Sequence, residues 1–241
     1  MSGPSEQQYR DAVVKLIVDF REAKTVEAKR PWWRPILIGH GWCTEVHRLA
    51  EAALHLLDLG YGHEAQILLR TMFESTISLH WLSQKGDAGA MAVFTEGGRA
   101  ARAAAQDMEK SFALPQELLD TIKNQPISRT AESDIFRKFQ AQCDEIDPKR
   151  ELYSVYRHLC SYAHPSSTGA FPFIDWDAKP VHLRDTPREP PGGSPVPVTA
   201  AMCLVWAGRA FDEMVVGKPR KQFLRSIARD LGLPAMLPSI K

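Results

Sequence analysis

Apolar residues recur at three- and four-residue steps along most of this chain, the mark of helices that bury one side. Between residues 5 and 29 the stripe is Val13, Leu16, Ile17 and Phe20. "RPWWRP" interrupts it, with Pro31 and Pro35 bracketing two tryptophans. A second helix is predicted from about Ile36 to Leu59, apolar at Leu49, Ala53, Leu56 and Leu57 and stopped by Gly60. A third, from about His63 to Gln84, is apolar most of the way round, through Leu68, Leu69, Met72, Phe73, Ile77 and Leu79. Such a helix belongs near the centre of a fold. The short "GYGH" connection makes the second and third helices antiparallel neighbours.

A fourth helix is predicted over Ala88–Lys110, with Gly97 and Gly98 as a weak point. Shorter helices are predicted over 116–124, 131–144 and 150–164, the last closed by Pro165. Residues 165–197 then change character. "FPFIDWDAKPVHLRD" has no helical period and suits a small hairpin, and "TPREPPGGSPVP" reads as a proline-rich loop. Helical spacing returns over 198–216 and 219–231. The pattern predicts an all-α helical bundle, a single domain over 1–241, with the irregular insertion 165–197 before its penultimate helix. The second and third helices and the 150–164 helix are expected in its middle.

Composition narrows the function classes. Thirty Lys and Arg stand against 29 Asp and Glu, for a net charge of +1. A dedicated nucleic-acid coat or polybasic membrane binder is far more basic, so any RNA contact must come from a local patch. The cysteines, at positions 43, 143, 160 and 203, form no C-x-x-C pair and read as free thiols in helical patterns. No run approaches a membrane span and the first residues hold no apolar signal core, so a cytoplasmic protein is expected. His40, His47, His55 and His63 follow one another, but neither Glu-x-x-His nor H-E-x-x-H occurs, so no metal and no other cofactor is expected. "EGGRAA" lacks the ending of a phosphate-binding loop, and the basic "KPRKQFLRSIAR" reads first as a solvated face on a packed helix.

Two polar clusters remain. Arg70 and Glu74 are the only charges between Ala65 and Leu82, and at four residues apart they share a side of the most apolar helix. They are either a structural ion pair or part of a site. In "RHLCSYAHPSS", a helix ending at His164 puts Leu152, Tyr156, Leu159 and Ala163 on its core stripe. Tyr153, Arg157, Ser161 and His164 form a second stripe beside it. An arginine fork, a histidine that titrates near neutrality and two hydroxyls suit acid–base chemistry on a phosphate. The same histidine can equally serve as a helix cap.

The segments "EAQILLRTMFESTISLHWL" and "YSVYRHLCSYAHPSS" resemble a prokaryotic helical domain-of-unknown-function family. Its members carry L-x-R-x-x-x-E on one helix and a Y…S-x-x-H-P segment on a later one, matched here by Leu68, Arg70, Glu74, Tyr153 or Tyr156, Ser161, His164 and Pro165. A looser resemblance is to the HEPN superfamily, small helical bundles that include metal-independent endoribonucleases of toxin–antitoxin and phage-defence systems. Its signature, an arginine followed by a histidine after four to six residues, is matched by Arg157 and His164. The resemblance implies RNA as substrate, Arg157 on phosphate charge, His164 as acid–base catalyst, a homodimer, and an antitoxin or other protein partner. Arg70, Glu74, Tyr153 and Ser161 are then expected to support the same cleft. The alternative is a non-catalytic binding or scaffold module, in which these groups form a buried polar network that fixes helix register.

Overall fold

The computed structural model describes residues 3–23, 26–29, 32–112, 115–124, 127–188 and 193–240. It is the all-α bundle the pattern predicts. The first helix, α1 (Glu6–Glu22), starts on a capping box in which Ser5 and Gln8 each satisfy the other's backbone N–H. It ends seven residues short of the predicted 29; Ala28 instead pairs as an isolated bridge with Val215. Pro31 and residues 24–25 of that prediction lie outside the described residues. The second helix, α2 (Trp33–Asp58), begins earlier than predicted, because Pro35 sits within its first turn, where a missing N–H costs nothing.

The predicted third and fourth helices form one long element, α3 (Gly62–Glu109), bent at Gly86. Gly86 has φ 60° and ψ −134°, a conformation glycine alone takes readily. A Cβ there would stand 3.4 Å from the Trp32 ring, so the bend is also packed. Gly97 and Gly98, the expected weak point, are plain helix. Four short helices follow: α4 (Gln116–Lys123), α5 (Ala131–Phe136), α6 (Phe139–Ile146) and α7 (Glu151–Ala163). The predicted 131–144 helix is thus two. The insertion holds one unpredicted turn, α8 (Ser167–Ala170), a 3₁₀ turn at Phe171–Phe173, and the expected hairpin. Its strands β1 (Ile174–Asp175) and β2 (His182–Leu183) are antiparallel, Ile174 opposite Leu183. The proline-rich loop is described except at 189–192. The last helices are α9 (Val196–Met214) and α10 (Lys221–Asp230).

The centre of the bundle differs from the expectation in one respect. The middle is held by α2, α3 and α9, with α9 buried along almost its whole length, whereas α7 buries only Leu152 and Leu159 and rests on α3 from outside. The reason is composition: from Val196 to Gly208 α9 has no charge at all. Its one deep cation, Arg209, is 2% exposed and lies 3.4 Å from Asp212 and 3.1 Å from Glu213. Asp212 also accepts from the backbone N–H of Arg220, whose side chain reaches Asp19 of α1. Buried charges persist only when so paired. On α10, Leu224 and Ala228 pack inward while Arg225 and Arg229 face solvent, the solvated-face reading of the basic C-terminal stretch. No helix among the described residues is long and apolar enough to cross a membrane.

Candidate functional site

The two clusters singled out in the sequence meet through a residue assigned to the core stripe. Arg70 donates to Glu74 at 3.2 Å on α3, and donates to the Tyr156 hydroxyl of α7 at 3.1 Å. That hydroxyl donates in turn to Glu74 at 2.8 Å. The three groups close a ring of hydrogen bonds across the α3–α7 interface, and Arg70 and Glu74 stay 27% and 30% exposed. Tyr156 is fixed from the other side by Phe139, ring centroids 4.4 Å apart, and by Tyr153 at 5.9 Å. Burial first, and then the bond to Glu74, pushes the Tyr156 phenol up to about 12, so at neutral pH it carries its proton and donates. The bond to Tyr156 and the nearby Glu74 carboxylate outweigh burial and raise the Arg70 guanidinium above its ordinary value.

The second stripe does not join this ring. Tyr153 contributes its ring and makes no hydrogen bond among the described residues; Ser161 donates back to the His158 carbonyl at 2.6 Å. Arg157 and His164 are exposed, and neither side chain has a hydrogen bond or ion pair among the described residues. His164 sits at the end of α7 in extended conformation, its backbone N–H donating to the Cys160 carbonyl. The expected single cleft, with Arg70 and Glu74 beneath Arg157 and His164, is therefore two separate places. At about 100° per residue, Tyr156 and Arg157 point about a quarter-turn apart, which separates them.

The helix leaves α7 where it does for local reasons. Pro165 cannot continue it, and Ser166 restarts a turn, its side chain accepting from Gly169 N–H and donating to the Ser161 carbonyl. Arg157 and His164 lie seven positions, about 10 Å of rise, apart along the helix. Sequence reasoning left Tyr153 and Tyr156 as alternatives in the family motif and put Tyr156 on the core stripe; it missed that Tyr156 is the polar partner of Arg70 and Glu74. The available signal was the Arg70–Glu74 pair on the most apolar helix, because half-buried charges favour a further polar partner.

A second polar junction also escaped notice. Trp81, fully buried, donates its indole N–H to Glu145 at 2.7 Å, and Lys85 reaches the same carboxylate at 3.0 Å. The four cysteines are free thiols, three buried and Cys160 half-buried. Burial raises Cys43, Cys143 and Cys203 to about 12, which keeps them protonated and unreactive.

No curated protein and no solved structure matches the chain. A family model does, over residues 37–179, more than half of the chain. The matched stretch runs from α2 through α7 to the hairpin and includes Arg70, Glu74, Tyr156, Arg157 and His164. The chain is a member of DUF5677, a family of unknown function.

Proposed function

We propose that this chain is a HEPN-like RNA-acting protein, a metal-independent endoribonuclease of a toxin or phage-defence system, working in the cytoplasm as a homodimer with an antitoxin or other protein partner. One observation carries the reading. Arg157 on α7 and His164 at its end are exposed, and neither is engaged by another side chain among the described residues. A charged fork and an imidazole left unpaired are groups available to a ligand.

In the reaction, His164 takes the proton of a ribose 2′-hydroxyl. The freed oxygen attacks the adjacent phosphorus, and the bond from phosphorus to the 5′-oxygen breaks as that oxygen takes a proton back from the His164 imidazolium. The products are a 2′,3′-cyclic phosphate and a 5′-hydroxyl. Arg157 takes the charge that builds on the phosphoryl oxygens. About 10 Å of helical rise separates the two residues. The reading therefore takes the arginine of one copy with the histidine of another.

The closed ring of Arg70, Glu74 and Tyr156 favours a second reading for those three residues, as a register-fixing network in a non-catalytic module. The two readings separate on one experiment: induced expression of wild type, Arg157→Ala and His164→Ala, scored for growth arrest and for RNA fragments ending in cyclic phosphate. The nuclease reading expects arrest and fragments from wild type only. Equal behaviour of three folded proteins gives the chain to the scaffold reading.

A further inference from the structure

A cleft of about 1030 Å³ lies on the far side of α7 from Arg157. Tyr162, which lines it, is five positions on from Arg157, about 140° round the helix. Its walls come from α1, from the α2–α3 turn and from the insertion. Its size is that of sites for small organic ligands.

The lining is built of unused donors. Gln66 is 6% exposed and makes no hydrogen bond among the described residues, although its side chain borders the cleft. A buried amide normally has a partner. Arg184 donates its Nε to the Thr186 carbonyl at 3.2 Å, and its two terminal amino groups make no ion pair among the described residues. Ser194 accepts from the Val196 N–H, which leaves its own O–H to donate. His63 stands edge-on between Tyr162, at 5.8 Å, and Phe173, at 5.3 Å, so two rings form one wall. Gly193, at φ +91°, closes the other end, where a Cβ would stand 3.0 Å from the Glu6 carboxylate.

The other charges decide which cation meets a ligand. Arg10 is held by Glu6 and Asp58, and Arg188 by Asp175 with Asp177 3.6 Å away. Of these carboxylates Glu6 lines the cleft, and with Arg10 and Arg188 already paired, Arg184 is the lining cation left to meet a ligand. One anionic group at Arg184 is accommodated. The donors around it number more than a carboxylate's two oxygens use and suit the three oxygens of a phosphate.

We propose that this cleft binds a small organic phosphate monoester. Arg184, assisted by the Ser194 and Thr186 hydroxyls, takes the phosphate; Gln66 hydrogen-bonds the organic body, which lies against Tyr162 and His63. The proposal is independent of the ribonuclease reading.

The test is calorimetric titration of the full chain with ribose 5-phosphate, AMP, inorganic phosphate and free ribose. At least one of the two esters is expected to bind roughly tenfold or more tighter than inorganic phosphate, and ribose not measurably. Arg184→Ala, an exposed change, is expected to weaken the ester roughly tenfold or more. Gln66→Leu is expected to remove the preference for ester over inorganic phosphate, with thermal unfolding confirming the fold. Arg157→Ala is expected to bind as wild type does. Three results overturn the proposal: neither ester binding at millimolar concentration, inorganic phosphate binding as tightly as the better ester, or Arg184→Ala binding like wild type.

Discussion

Replacing Tyr156 by Phe isolates the polar ring at the α3–α7 interface. The ring contacts to Phe139 and Tyr153 survive the change, because they belong to the aromatic body. What goes is one oxygen that donates to Glu74 at 2.8 Å and accepts from Arg70 at 3.1 Å. Hydrogen bonds to charged partners contribute about 1.5–3 kcal/mol each where water is excluded. Both charged partners keep more than a quarter of their surface and still hold each other at 3.2 Å, so neither is stranded. Solvent screening brings the expected loss to about 1–2 kcal/mol in total. For a chain of this length that is about 2–8 °C in Tm.

Urea unfolding of wild type, Tyr156→Phe, Glu74→Gln and the double variant measures the loss and its coupling. A coupling of about 0.5–1.5 kcal/mol is expected between residues that share a hydrogen bond. A loss below about 0.3 kcal/mol, or additive single changes, refutes the claim that the ring fastens α7 to α3. The same variant bears on function. If Tyr156→Phe keeps wild-type stability yet stops RNA cleavage as fully as His164→Ala, Tyr156 touches substrate and is no longer a positioning residue.

Three further outcomes follow from buried groups. His47 is buried, donates from Nδ1 to the Cys43 carbonyl, and is pushed by burial down to about 3. Its unfolded value is higher, near 6.5, so the stability it contributes is present above that pH and is lost as pH falls towards 3; denaturant titrations across that window are expected to show a shallower acid decline for His47→Leu. Glu145→Ala leaves the Trp81 indole without its acceptor and is expected to cost about 1–3 kcal/mol, with Glu145→Gln recovering most of it; equal losses in the two variants would sink the hydrogen-bond account. A Cβ on Gly39 would meet Met214 at 2.5 Å and Leu79 at 3.0 Å, so Gly39→Ala is expected to lower stability by about 1–3 kcal/mol despite alanine's better helix propensity, and a rise in Tm would contradict the packing.

Much of the fold was legible because helical periodicity is local. Val13, Leu16 and Ile17 spaced themselves as a helix face in the sequence and are buried as one. The centrality of α9 was not legible, since a helix buried all round and one buried on a broad face differ only in what surrounds them. The break inside 131–144 was equally hidden, there being no Gly or Pro between Phe136 and Phe139 to announce it. At the site, helical phase placed Arg157 and His164 on a common side and did so from the chain alone. It could not say which neighbour each side of α7 meets. That depends on the rotation of α7 against α3, a tertiary quantity, and it moved Tyr156 from core to polar ring. The cleft beside Tyr162 had no local signal at all, because α1, the α2–α3 turn and the insertion meet there from distant parts of the chain.

The helix α7 gathers these observations into one mechanical argument. A 13-residue helix is marginal alone, and this one buries only two residues, so apolar packing does not by itself fix its rotation. The Tyr156 bonds to Arg70 and Glu74 supply directional contacts that do. Their direction sets where the remaining sides point: Arg157 and His164 outward to solvent, Tyr162 into the cleft. The family match follows the same logic, covering α3 and α7 with all of these residues while leaving out α9, the most deeply buried helix. The matched segment holds the polar fastening and the side chains whose orientation it sets, together with the buried faces of α2 and α3. Loosening that fastening is therefore expected to disturb the Arg157–His164 face before it disturbs the core.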